Sequence, residues 1–267
     1  MRGPPCMMSG DDILAQLEGL RSVKFGKVSG SRKRKRNESE LNWTKRSIFF
    51  ELPYWQYVLH RHNLDVMHIE KNICDNVIGT LLNIKGKTKD NPNSRLDMER
   101  MGIRHELHLV PRDGGKFLMP TASYTLHGDE KRNFCEWLKT AKFPDGFASN
   151  ISSRVNLKDG SISGMKSHDS HVLLQRLIPV VMRRFSTVEV QNALIELGIF
   201  FRELCCRKLQ VDILEKLQSD IALLLCKLEK FFPPSFFDVM VHLAVHLPRE
   251  ALLAGPVQYR WMYPVER

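Results

Sequence analysis

The sequence predicts a mainly α-helical protein, and three patterns predict it. From Met67 to Leu82 the apolar residues Met67, Ile69, Ile73, Cys74, Val77, Ile78, Leu81 and Leu82 recur at three- and four-residue steps, which lines them along one buried helix face. Four long amphipathic or nearly apolar stretches follow at 168–185, 188–208, 212–231 and 235–247, enough for a bundle with its own core. Pro179 and the pair Pro233-Pro234 punctuate that run, because proline lacks an N–H and clashes with the preceding turn.

Taken in order, the chain opens with a helix over 9–20, the centre of an N-terminal segment 1–23. Ser9 with Asp12 matches a capping box, and Ile13, Leu14, Leu17 and Leu20 share a face. Residues 24–42 are rich in Gly, Ser and charge around SGSRKRKRNESE and form a basic, disordered linker, since they cannot bury enough apolar surface to hold a shape. Ile48, Phe49 and Phe50 suit a short strand or extended segment. Pro53 can open a short helix over 54–61, where its missing N–H costs nothing.

Asp65 stands at the mouth of the long helix that begins near Met67. The segment GKTKDNPNS carries turn chemistry, and 94–101 forms a short amphipathic helix. Pro111, Gly114, Gly115 and Pro120 make 107–127 read as a connection, so the domain boundary is placed there, between a unit at 43–106 and a helical domain at 128–267. In that second part a helix over 129–141 presents Phe134, Trp137 and Leu138 on one side.

The chain has 267 residues, with 40 Lys plus Arg against 30 Asp plus Glu, a net charge of +10 that favours phosphate-rich partners without establishing them. Six cysteines, at 6, 74, 135, 205, 206 and 226, show no C-x-x-C spacing and mostly fall in apolar helical patterns. They read as reduced, buried residues of an intracellular protein rather than a disulfide frame or zinc finger. The segment MRGPPCMMSGDD lacks the apolar centre of a signal peptide, and no apolar run approaches the roughly 20 residues that cross a bilayer. A soluble protein with no membrane partner is expected.

Several groups are candidates for chemistry. Asp65 and His68, three apart, would project from the same side of the helix. They either cap and brace it or present a carboxylate and an imidazole to a common point. Arg32, Lys33, Arg34, Lys35 and Arg36 have the composition of a nuclear import signal or a phosphate-contacting arm, against a solvated linker kept extended by charge. The import or DNA-backbone reading is preferred, because five consecutive cations in a flexible segment are accessible.

His242 and His246, four apart, could share a metal, but Leu243, Ala244 and Val245 between them leave no H-E-x-x-H pattern, and packing histidines are the simpler reading. Asp169 and Ser170, between His168 and His171, are best explained as helix caps. His60 and His62 flank Arg61, yet close neighbours on a helix point apart. Tyr259, Trp261 and Tyr263 beside Arg260 could stack bases, although burial against the core is the simpler reading. No phosphate-binding glycine loop occurs.

The runs LNWTKRSIFFELPYW, HRHNLDVMHIEKN, GTLLNIKGKTKDN and RLDMERMGIRHELH closely resemble the C-terminal part of the transposase of plant CACTA (En/Spm) elements. Downstream, YTLHGDEKRNFCEWLKTAKFPDGFASNIS, MKSHDSHVLLQRLIPV, FFRELC, FPPSFFDVMVHLAVHL and GPVQYRWMYPVER resemble the plant domain of unknown function 4218 that follows that core. These motifs stand in the family's order and cover nearly the whole chain.

The resemblance implies a remnant of an RNase H-like transposase core at 43–106, followed by an all-α bundle of the insertion type. In such enzymes three acids hold two divalent ions, Mg²⁺ or Mn²⁺, one activating the attacking oxygen and the other stabilising the leaving one. Asp65 and His68 match the family's Asp-x-x-His element, and Glu266 is the candidate for the final acid. The same resemblance places the two earlier aspartates before residue 1 and continues past residue 267. It therefore implies a fragment truncated at both ends, with an incomplete metal set, no cofactor of its own and no transposase activity. The expected partners are DNA and a nuclear import receptor, with self-association open, and the expected location is the nucleus, with the cytoplasm as alternative. The rival from another class is a helical protein-interaction or oligomerisation module with no nucleic-acid role.

Overall fold

A computed structural model of the chain describes residues 7–18, 46–144, 150–184 and 187–261. They are mainly helical, and they divide into two compact units, Met1–His62 and Asn63–Arg267.

In the first unit, helix α1 spans Gly10–Leu17 behind the expected capping box. The Ser9 hydroxyl accepts from the Asp12 amide at 3.1 Å, while the Asp12 carboxylate accepts from the Ser9 amide at 2.8 Å. The Ser9 hydroxyl also donates to the Asp12 carboxylate at 2.7 Å, and this bond, then the one from the Ser9 amide, holds the Asp12 carboxyl below its usual range. A Cβ on Gly10 would meet the Gln56 carbonyl oxygen at 2.1 Å, so only glycine allows that contact.

Two expectations here give way. Ile48–Glu51 is a 3-10 turn rather than a strand, opened by the Ser47 hydroxyl accepting from the Phe49 amide, and Ile48 and Phe49 are exposed. The helix expected over 54–61 shrinks to a 3-10 turn at Trp55–Tyr57. Tyr54, Tyr57 and Leu59 are exposed, so this short segment lacks the packing that a helix of its length requires.

The second unit is built around α2, Val66–Leu81. All eight apolar positions read from the periodicity of this segment are buried. α2 packs against α5 (Ser167–Val172) and α9 (Val239–Leu243). Helix α3, Pro92–Arg100, starts with Pro92 in the first turn and a reciprocal Asn91–Ser94 cap.

The 107–127 stretch carries an exposed hairpin, β1 (Val110–Arg112) on β2 (Lys116–Leu118), turning through Gly114 and Gly115 at positive φ. Its ends belong to the core: Leu107, Ala122, Tyr124 and Leu126 are buried, in a cluster that runs from Val66 to Val257. The buried Arg95 guanidinium secures them. It pairs with Asp90 at 2.5 and 2.6 Å and donates to the carbonyls of Leu107 at 2.8 Å and Pro120 at 3.2 Å. The stretch expected to separate two domains thus lies inside the second unit, whose boundary falls at His62/Asn63.

Helix α4, Gly128–Thr140, buries Phe134, Cys135 and Leu138 as the pattern predicts for the first and last of these. A second hairpin follows, β3 (Val155–Asn156) on β4 (Ser161–Ile162). Among the described residues these hairpins are the only paired strands, and 63–106 is helix and turn, so no sheet marks the expected RNase H-like remnant there.

The segment expected as one helix over 168–185 consists of α5, a π-turn at Leu173–Leu177 and α6 (Ile178–Val181). Pro179 is the cause, because a regular helix would drive its ring into the Gln175 carbonyl. Helix α7 (Val188–Leu204) crosses this wide turn, and α8 (Val211–Glu229) packs on α7. Arg104, held at a left-handed φ of 51°, closes α8 by donating to the carbonyls of Glu229, Phe231 and Phe232. Burial lowers the pKa of that guanidinium.

The helix expected over 235–247 is also divided. α9 ends at Leu243, a 3-10 turn covers Ala244–His246, and α10 runs Leu247–Ala254. Pro248 in the first turn of α10 has no N–H to donate to the Ala244 carbonyl, and its ring would clash with it in a continuous helix. Of the described cysteines, Cys74 and Cys135 are buried and all five are free thiols, but Cys226 is exposed on α8, against expectation.

Candidate functional site

Asp65 caps and braces its helix, the first of the two roles its spacing allows. As the N-cap of α2 its Oδ1 accepts from the amides of Met67 at 3.0 Å and His68 at 3.3 Å, and its Oδ2 lies 2.7 Å from His68 Nδ1. Both carboxylate oxygens are committed to the first turn of the helix. Asp65 belongs to no group of three metal-competent side chains among the described residues, which do not fit a magnesium pair. Glu266 lies outside the described residues, as do Arg32, Lys33, Arg34, Lys35 and Arg36.

Most other candidates take structural roles. His242 and His246 are exposed rather than packed in the core, and their rings meet edge to face at 5.2 Å between centroids. The Asp169 carboxylate accepts from the Lys166 amide at 2.9 Å, the capping role the sequence suggests. In the first unit Arg61 lies over the Trp55 ring at 4.9 Å. Arg260 is tied to Asn63 at 3.0 Å and to Glu250 at 3.5 Å, and Glu250 accepts from the Leu64 amide at 3.1 Å. That arginine therefore fastens the end of the described chain to the entry of α2. Tyr259 is exposed, whereas Trp261 packs edge-on to His171 at 6.3 Å.

The polar centre of the second unit is a group that sequence reasoning missed. Glu70 projects from α2 into the core and is 1% exposed. Its Oε2 lies 2.7 Å from His171 Nδ1 on α5, and its Oε1 accepts from the Gln175 side-chain amide at 2.9 Å. Cys205, which ends α7, completes the set: one ligand atom each from Glu70, His171 and Cys205 lies within 4.8 Å of the others. Burial, then the Glu70 charge, pushes the Cys205 thiol well above its ordinary pKa, offset in part by a hydrogen bond with Gln175. His171 and Cys205 also line a cavity of about 630 Å³, with His168, Arg207, Tyr259 and Trp261 around it.

One signal in the sequence pointed here. Glu70 sits on the apolar stripe of α2, between Met67 and Cys74, where an acid is not buried unless it has partners. Nothing local names those partners, since His171 and Cys205 arrive from distant helices.

Residues 204–267 match the model of a family described as Domain of unknown function (DUF4218). The match takes in Cys205 and helices α8 to α10, the part in which the sequence motifs FPPSFFDVMVHLAVHL and GPVQYRWMYPVER and the end of FFRELC occur. No curated protein and no solved structure matches the chain.

No helix among the described residues is long and apolar enough to cross a membrane.

Proposed function

We propose that this chain is a transposon-derived relative of CACTA-type transposases that does not catalyse strand transfer and that binds DNA through its backbone, without sequence preference. The observation that carries the DNA reading is the run Arg32, Lys33, Arg34, Lys35 and Arg36 in a chain of net charge +10. A compact block of cations gains affinity by releasing the counterions condensed on the phosphates. The same run fits an import receptor, which would place the protein in the nucleus. The order of the sequence motifs supports the transposon origin, while the DUF4218 match at 204–267 supports only the downstream domain.

The bonds of Asp65 support the non-catalytic reading: Oδ1 caps α2 and Oδ2 meets His68, so a metal ion would have to displace His68 or the cap.

A salt titration of duplex binding tests the reading. Affinity should fall linearly on a log–log plot, and neutralising all five cations at 32–36 should make the slope shallower by about 4 to 5, at roughly 0.9 per phosphate contact. Binding that is absent at low salt, or unchanged in the neutralised variant, would favour the helical interaction module instead. Magnesium-dependent nicking that disappears in Asp65→Ala would refute the non-catalytic part.

A further inference from the structure

We propose that Glu70, His171 and Cys205 form a binding site for one thiophilic divalent cation, zinc being the reference ion, and that the Gln175 amide holds the place of that ion when it is absent. The proposal is independent of DNA binding and of the transposon reading.

The first argument is donor chemistry. A carboxylate oxygen, an imidazole nitrogen and a thiol sulfur converge from three helices within 4.8 Å. A mixed O, N, S set suits zinc or cobalt rather than magnesium, which prefers oxygen alone. Tetrahedral zinc with bonds of 2.0 to 2.3 Å would need ligand atoms about 3.3 to 3.6 Å apart. Glu70 and His171, now 2.7 Å apart, would open slightly, and the other separations, none above 4.8 Å, would close by about 1 Å at most. Such shifts are within reach of side-chain rotation.

The second argument is an oversubscribed hydrogen-bond centre. The Gln175 amide nitrogen lies 2.9 Å from Glu70 Oε1 and 3.0 Å from His171 Nδ1. His171 Nδ1 is in addition 2.7 Å from Glu70 Oε2. If that nitrogen carries the proton, it cannot accept from Gln175; if it does not, two lone pairs face each other across the Glu70 contact. Whichever tautomer is present, one short contact has no hydrogen bond of its own. The ligand atoms of Glu70, His171 and Cys205 surround a point that a cation can occupy, satisfying all three at once.

The third argument is access. His171 and Cys205 line the cavity of about 630 Å³, so an ion can enter from that side and a water can take the fourth position. Glu70 stays in the core, where a charged carboxylate is costly without a cationic partner.

The test is titration of the purified full chain with Co²⁺ and with Zn²⁺. We expect one ion per chain, a thiolate-to-cobalt charge-transfer band in the near ultraviolet and visible bands of tetrahedral intensity. Cys205→Ser should abolish the charge-transfer band, and His171→Ala should weaken zinc binding more than about a hundredfold, since even the partners behind a ligand are worth 10- to 100-fold. Gln175→Ala, which removes the competing amide and keeps every ligand, should bind at least as tightly as the wild type. This variant keeps the test decisive if a ligand variant fails to fold. His242→Ala should change nothing. No binding by the folded wild type, a cobalt complex without a thiolate band, or undiminished affinity in folded His171→Ala or Cys205→Ser would each overturn the site.

Discussion

Asp65 Oδ2 and His68 Nδ1 meet at 2.7 Å across the first turn of α2, while the other oxygen of the same carboxylate caps two amides. Asp65→Ala removes the cap and the brace together. It should cost about 1 kcal/mol, which in a unit of this size lowers Tm by about 2 to 4 °C. Asp65→Asn, which keeps an acceptor for the amides, should cost less. Thermal denaturation of the three proteins checks this, and an unchanged Tm in Asp65→Ala would remove the stabilising role.

Asp90 and Arg95 form a nearly solvent-free pair whose carboxylate also accepts from the Tyr124 hydroxyl at 2.8 Å. Burial, and then the Asp90 charge, raises the pKa of that phenol, so it remains a donor at all ordinary pH. Asp90→Ala would leave the guanidinium buried without its counter-charge and should destabilise by about 3 to 5 kcal/mol in urea unfolding. The double variant Asp90→Leu/Arg95→Met should be less damaged than that single one. Additive losses would show that the two residues do not act as a pair.

At Asp238 desolvation raises the carboxyl, but hydrogen bonds from Asn76, Lys89 and the Val241 amide outweigh it and hold the pKa below its ordinary value of 3.8. A folded-state value below the unfolded one means that the contribution is complete above pH 3.8 and is lost as pH falls through the folded value. Asp238→Asn should therefore flatten the acid limb of the stability curve below pH 3.8 and leave its neutral-pH shape alone. Equally steep acid limbs in variant and wild type would contradict the assignment.

Gly198 lets α7 lie against the π-turn before Pro179. A Cβ there would come within 2.8 Å of the Leu174 carbonyl oxygen and 2.9 Å of Pro179 Cγ. Gly198→Ala gains helix propensity, but the backbone contact cannot yield without moving α7. A net loss of about 1 to 3 kcal/mol is expected, read by urea denaturation. A stabilised variant would show that the crossing is looser than these distances imply.

Local signals carried far in this chain because they depend on neighbours three or four residues away. The buried stripe of α2, the Ser9–Asp12 cap, the Asp169 cap and the disturbance at Pro179 were all legible. Misreadings arose where a local pattern had no packing to support it. Tyr54, Tyr57 and Leu59 are apolar enough for a helix but remain in solvent, and Pro248 divides a segment whose apolar pattern runs on through it. The connection at 107–127 reads as a boundary from its prolines and glycines, yet Arg95 draws its two ends into one core.

The sequence by itself determined the helical class, the face that α2 buries and the cationic run at 32–36, because periodicity and charge are properties of short stretches. Tertiary structure alone decided that Asp65 serves its helix and that Glu70, His171, Gln175 and Cys205 share one buried point. Such convergence is set by how three helices cross, and helix crossing depends on the packing of every side chain between them.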